Sequence, residues 1–365
     1  MKSIQDLIPV FESLAPLGYA EDFDNVGLLV GNVQQQVTGI LVCHDAIESV
    51  IDEAIEQKCN LVVCFHPIWF SGLKRLNGNT YVERAIMKAI QHQIAIYAIH
   101  TAFDNHPLGV NHIACQALGL EDLHILLPKK QFLKKLITYA PLAQAEQIRE
   151  ALLNAGAGQI GNYDRCSFRT EGVGSFRGKP GSNPVIGEAE QYTEVAEQKI
   201  EVIVEKHLAS TVLKALHQAH PYEEVAYELT PIENDLQTVG LGMLGTLPQP
   251  LSEKAFLQQV KEVFVCGGIR HSLFTGKTIQ KVAFLGGSGG FAIQAAQKAG
   301  ADAFITADLK YHQFYEAENN LLLADIGHFE SERYTKIYIA EFLKEKITNF
   351  AIVLSNVDSN PINYF

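Results

Sequence analysis

The sequence predicts an α/β protein: two similar doubly wound halves form one discontinuous domain, residues 1–127 plus 236–365, and a ferredoxin-like α+β domain is inserted at 128–235. Three observations predict it. Residues 38–100 alternate short apolar runs with stretches whose apolar positions recur at helical spacing, the pattern of a parallel sheet with crossover helices. The same succession returns in residues 281–327, which reads as an internal duplication. Between them the order changes to strand, helix, strand, strand, helix, strand, the split βαβ arrangement.

The elements follow in chain order. "MKSIQDLIPVFESLAP" is an amphipathic first helix; Asp6 and Glu12 interrupt the apolar segment that a signal peptide requires. "TGILVC" and "NLVVCF" are strands flanking the helix "AIESVIDEAIEQK", in which Ile47, Val50, Ile51, Ala54 and Ile55 share a face. Helix "TYVERAIMKAIQHQ" and strand "IAIYAIH" complete the first half. In the insertion, "KKLITYAP", helix "LAQAEQIREALLNAGAG" and the long stretch from "KIEVIVEKH" to "VAYELTP" supply its framework, and the Gly- and Pro-rich "FRGKPGSNPVIGE" punctuates it. The second half runs strand "KVAFLGG", helix "FAIQAAQKAGA", strand "DAFITAD", helix "YHQFYEAEN" and strand "NLLLADIG".

Composition narrows the function classes. Apolar residues make up 47% of the chain, enough for substantial cores, yet no apolar stretch approaches the roughly 18 to 20 residues of a membrane span. A formal charge of −12 opposes the counterion release that drives nucleic-acid binding, and no basic stripe reverses it locally. Cys43, Cys59, Cys64, Cys115, Cys166 and Cys266 sit at irregular spacings without a CxxC pair, which argues against a disulfide framework or a zinc knuckle and for a reducing cytoplasm.

The polar residues that carry chemistry fall where parallel sheets place it, outside the carboxyl ends of strands. The third strand of each half ends in a histidine followed four residues on by an acid: His100 and Asp104 in "HTAFD", His328 and Glu332 in "HFESE". The second strands end in His66 ("FHP") and in Asp308, Lys310 and His312 ("ADLKYH"). Such a mixed set of imidazoles and carboxylates suits zinc, manganese or iron. Each has a plain alternative. A histidine before proline is also an ordinary strand-end residue, and His328 shares a helical face with Glu332 only if the helix has begun by His328, since Ser331 offers a rival cap. "GGSGG" at 286–290 lacks the P-loop lysine and reads as a tight turn. Asp22 and Asp24 in "EDFDNVGLLVG" read as turn chemistry before metal or substrate contacts. No GxSxG occurs, so activated water is a better hypothesis than a nucleophilic side chain.

The segments "EDFDNVGLLVG", "FHPIWFSGLKRL", "IYAIHTAFDNHPLGVNHIACQALGL", "GAGQIGNYDRCSFRTEGVGSF", "HPYEEVAYEL", "ITADLKYH" and "DIGHFESERY" together resemble the Nif-three-like dinuclear metal family, the GTP cyclohydrolase I type 2 homologues, nearly end to end. The resemblance implies two divalent metals per chain, a PII-like insertion, and a toroidal homohexamer with its sites facing an internal cavity. It implies as metal ligands His66, Asp104, His328 and Glu332. It also exposes a departure, because the family's usual first histidine before the proline is here Phe65. A phenyl ring cannot ligate, so one metal position is expected to be weakly held, completed by water, or served by a neighbour such as His100 or Cys64.

Two functions follow as expectations. One is a metal-dependent hydrolase that opens the purine ring of GTP and releases formate, with Lys310 and His312 as phosphate contacts. The other is a non-catalytic, metal-binding regulatory assembly in which the insertion senses a small ligand.

Overall fold

The structure is a computed structural model that describes residues 2–365. The chain forms two compact units, Met1–Leu127 with Val239–Phe365, and Pro128–Thr238.

In the first unit one sheet has five strands, in the spatial order Gly27–Val30, Ala95–Ala98, Leu61–Cys64, Gly39–Cys43 and Ala351–Leu354. The four strands from Ala95–Ala98 to Ala351–Leu354 run parallel, and Cys43 is in register with Cys64, which is in register with Ala98. All residues of the three central strands are buried, as expected for strands covered on both faces. Alternation sends Ile40, Val42, Leu61, Val63, Phe65, Ala95 and Tyr97 into one core and Leu41, Cys43, Val62, Cys64, Ile96 and Ala98 into the other. Helices Glu48–Glu56 and Tyr81–Gln91 cover the second of these faces with Val50, Ile51, Ala54, Ala85, Ile86 and Ala89. The first helix, Ile4–Leu14, is fixed at its start by a capping box between Ser3 and Asp6, and buries Ile4, Leu7 and Phe11 in the opposite core.

A second sheet has six strands, in the order Arg270–His271, Leu322–Asp325, Ala303–Ala307, Thr278–Ser288, Leu236–Ser252 and Glu121–Lys129. Thr278–Ser288, Ala303–Ala307 and Leu322–Asp325 are parallel neighbours. The stretch 311–317, expected to be an α-helix, is instead a run of 3₁₀ turns, Tyr311–Ala317, that buries only Ala317. One buried residue gives an α-helix no apolar stripe to anchor it.

The second unit carries a four-stranded antiparallel sheet in the order Phe168–Arg177, Tyr192–Glu205, Leu133–Pro141 and Tyr227–Pro231. Helices Ala145–Asn154 and Ala209–Ala219 place Ile148, Leu152, Val212 and Leu216 against Leu136, Ala140, Ile200, Val202 and Val204 of that sheet. Among the described residues no helix is long and apolar enough to cross a membrane.

Candidate metal centre

The site lies in the first unit, where the carboxyl ends of strands from both sheets meet. His66 follows strand Leu61–Cys64, and Glu332 with His328 occupies the short helix His328–Glu332. That helix begins at His328, with Gly327 (φ +93°) turning the chain into it, so the two side chains, four residues apart, share one face. Ser331 lies inside the helix rather than capping the next one; its hydroxyl donates to the His328 carbonyl and accepts from the Gly287 amide.

Three atoms form a nearly equilateral triangle. His66 Nε2 is 3.4 Å from His328 Nε2 and 3.3 Å from Glu332 Oε2, and His328 Nε2 is 3.4 Å from the same oxygen. Four ligands set tetrahedrally at roughly 2.0–2.1 Å from a zinc-like ion are spaced roughly 3.3–3.4 Å apart, so this triangle has the size of one tetrahedral face. Two imidazole nitrogens both turned toward one carboxylate oxygen suit a cation better than a network of protons.

The ring nitrogens facing away from the triangle are held by carboxylates. His66 donates from Nδ1 to Asp45 at 2.8 Å, and His328 donates from Nδ1 to Asp308 at 2.7 Å. This is the arrangement that fixes a ligating histidine in the tautomer with a free Nε2. His100 has the same brace: its Nδ1 donates to Asp24 at 2.9 Å, and Asp24 also accepts from the amide and hydroxyl of Thr101. Asp24, which the sequence suggested was turn chemistry, thus orients an imidazole whose centre lies 5.2 Å from that of His66. Asp308 adopts φ +57°, a conformation uncommon outside glycine, while receiving the hydroxyl of Ser288 as well as His328.

Charge explains the rest of the arrangement. Burial opposes ionisation of Glu332, but His66, His44 and His328 around it outweigh that cost and hold its pKa well below the usual carboxylate range. Asp104 goes the other way: burial, then repulsion from Glu332, pushes its carboxyl well up. Asp104 Oδ1 is sealed from solvent without a hydrogen-bond partner. A buried, unpartnered carboxylate oxygen beside a second carboxylate is what a site built for a divalent cation presents when protein atoms alone surround it. Burial likewise disfavours a charged His66, yet Glu332 and Asp45 outweigh it and raise its pKa to about 10. The residues present therefore fit a metal: His, Asp and Glu groups here can hold an ion.

Of the residues read from sequence, His66, His328 and Glu332 are brought together, and Asp104 is near enough for its charge to act on Glu332. His312 is not in the triangle; it stacks on Tyr315 and meets the edge of Tyr311. Cys64 turns into the core on the other face of the sheet, where its thiol donates to the Tyr97 carbonyl and burial pushes its pKa far up, so it offers no thiolate. "GGSGG" is a wall of the site: a Cβ on Gly287 (φ +66°) would lie 2.6 Å from Glu332 Oε1.

The sequence reading missed His44 and Asp45, which directly follow strand Gly39–Cys43. The available signal was their position one strand over from His66, since parallel strands in register bring their carboxyl ends together. Asp45 yields a direct test. Asp45→Asn is expected to leave the fold intact and weaken zinc about 10- to 100-fold, the usual effect of removing a histidine's carboxylate brace. Competition with a chromophoric chelator measures it, and an unchanged affinity refutes the role.

A family model described as Duf34/NIF3 (NGG1p interacting factor 3) matches residues 2–361. The chain belongs to the Duf34/NIF3 family. A Duf34/NIF3 relative from Bacillus subtilis (strain 168), named GTP cyclohydrolase 1 type 2 homolog, is 37% identical over 370 residues, covering 99% of this chain and 98% of the relative. A relative of the same name from Halalkalibacterium halodurans is 38% identical over 366 residues, again covering 99% and 98%. Among solved Duf34/NIF3 structures, the Bacillus cereus protein related to NIF3 superimposes with a TM-score of 0.82 at 35% identity, covering 100% of this chain and 99% of that one.

Proposed function

We propose that this chain is a divalent-metal-dependent hydrolase of the GTP cyclohydrolase type, with His66, Asp104, His328 and Glu332 as metal ligands. The observation that carries the reading is the triangle of His66, His328 and Glu332, with a carboxylate behind each imidazole. The names of the Bacillus subtilis and Halalkalibacterium halodurans relatives support a purine nucleotide as substrate. A divalent cation held there supplies Lewis acidity and a water whose pKa lies near neutrality. Asp45 and Asp308 keep the two imidazoles aimed, and Glu332 contributes negative charge within a pocket where only 3% of its side chain is exposed. His328 keeps 34% of its side-chain surface open, so substrate approaches from its side. His100, braced by Asp24, is placed to carry protons between water and a purine ring nitrogen. Addition of one water at C8 opens the five-membered ring to a formamide, and a second water releases formate.

The test is formate release from GTP by protein loaded with zinc, manganese or iron, with Glu332→Gln as blank. Formate above the blank is the expected result, and formate no higher than the blank refutes the reading. In the hexamer we propose, exposed aromatics such as Phe291, Tyr311 and Tyr315 are candidates for burial between copies. The sheet order and paired helices of the inserted unit support its assignment as a ferredoxin-like, PII-like domain, and the runs of parallel strands in both large sheets, four in one and three in the other, support an internal duplication.

A second reading, a metal-binding assembly that senses a ligand through its insertion, draws on one observation. The inserted unit holds a cavity of about 940 Å³ lined by Tyr139, Lys199, Arg177, Glu197 and Tyr222. A concavity of this size with both charges and two tyrosines suits a small ligand.

A further inference from the structure

We propose that His44 is a metal ligand of this centre, supplying from the neighbouring strand the imidazole that Phe65 does not. The inference rests on the metal-centre reading above and goes beyond it, because it concerns a second cation beside Glu332.

Cys43 and Cys64 are partners in adjacent parallel strands, so the next residues, His44 and Phe65, leave the sheet side by side. The pairing continues past the strand ends, where the Phe65 amide donates to the Cys43 carbonyl at 3.2 Å and the His66 amide donates to the His44 carbonyl at 3.0 Å. Residues in register on adjacent parallel strands point to the same face. The two rings accordingly lie with centroids 5.3 Å apart. A side chain at position 44 therefore reaches into the space that one at position 65 would reach.

Phe65 itself has been absorbed into the core; it is fully buried among Val63, Ile99 and Phe103. His44 is almost as deeply buried, with 3% of its side chain exposed. Its Nε2 lies 3.2 Å from Glu332 Oε2, the same spacing that His66 and His328 keep from that oxygen. His44 is not in the His66, His328 and Glu332 group but in another, with Asp45 and His66. Three imidazole nitrogens thus converge on the single oxygen Oε2 of Glu332, and a carboxylate can be shared between two cations. His44 Nδ1 is sealed from solvent with no hydrogen-bond partner, unlike the Nδ1 atoms of His66 and His328. Its ring is held by the rings of Phe65 and Phe329, at 5.3 and 5.2 Å, instead of by a carboxylate.

A bland alternative is that His44 is a core histidine whose one useful contact is the hydrogen bond to Glu332. The two readings separate on metal counts. Full-length protein is stripped with chelator, loaded with Zn²⁺ or Co²⁺, desalted and counted by elemental analysis, with Co²⁺ absorption as a second readout of the ligand set. About two ions per chain are expected for wild type, and about one for His44→Phe and for His44→Gln, the latter retaining a polar group of similar reach. The double variant His44→Phe with Phe65→His is expected to return to about two. A thermal melt on each variant separates ligand loss from failure to fold.

If both His44 variants melt cooperatively and keep the wild-type count and Co²⁺ spectrum, His44 is a packing residue and the proposal is wrong. A wild-type count of one, unaltered in both variants, overturns it equally. If wild type binds no more ion than Glu332→Gln, the metal-centre reading itself has failed. If wild type binds ions that Glu332→Gln loses and the His44 variants keep, only the present inference has failed.

Discussion

Glu332→Gln is expected to abolish metal retention and to destabilise the protein even before metal is added. The carboxylate is the one group that touches all three imidazoles, at 3.2 Å from His44, 3.3 Å from His66 and 3.4 Å from His328. An amide of the same shape keeps the volume but carries no charge and ligates poorly, so the loss of affinity should exceed the roughly 100-fold upper range seen for removing a mere brace. The second effect follows from the imidazoles. His66 owes its raised pKa, about 10, in large part to Glu332, against the burial that disfavours its charge. Without that carboxylate, either a buried cation is left partly uncompensated or the histidine gives up its proton. The cost should be about 3 kcal/mol at neutral pH, at the low end of the range for breaking a buried ion pair because an imidazole can discharge. Chemical denaturation of metal-free wild type and variant reads this number, and equal stability would show that the Glu332 charge is not what holds the imidazoles.

Asp104→Asn should act with opposite signs with and without metal. In the metal-free protein, burial and Glu332 push the Asp104 carboxyl well up, and its Oδ1 has no partner. The folded pKa lies above the unfolded one, so folding takes up a proton there, and this makes the protein less stable as pH rises from the unfolded value toward neutrality. An amide needs no proton and does not repel Glu332. Metal-free Asp104→Asn is therefore expected to be more stable than wild type at neutral pH, because folding no longer has to protonate a buried carboxyl or hold it against Glu332. With saturating zinc the order reverses, because wild type gains binding energy through linkage that the variant forgoes. Thermal melts of both proteins with chelator and with zinc supply the four values. A variant less stable than wild type in both conditions would mean that Asp104 serves packing, not a cation.

Much of the scaffold could be read from the chain, and for a definable reason. The strands around 40, 62, 96 and 305 are fully buried, so they appear as continuous apolar runs, and the helices between them carry one apolar stripe each. The stretch at 311–317 was misjudged because only Phe314 and Ala317 pack against a core, while Tyr311 and Tyr315 face solvent. At the site, the strand-end rule found His66, His328 and Glu332. It offered no means to foresee that Asp24, Asp45 and Asp308 would each stand behind an imidazole, since those contacts span 76, 21 and 20 residues and depend on the register of packed strands. His44 escaped for a related reason. Next to one another in space but 21 residues apart in sequence, positions 44 and 65 are connected only through the sheet.

The triangle has one more consequence, which concerns folding rather than chemistry. His66 and His328 are 262 residues apart in the chain and come from different sheets. An ion gripped by both is a reversible cross-link closing a very long loop, and ties of that kind restrict the unfolded ensemble more as the loop lengthens. Opening either sheet would release the ion, so a bound metal would make the two sheets unfold as one cooperative body, and its slow loss during ageing or dialysis would register first as broadened melting.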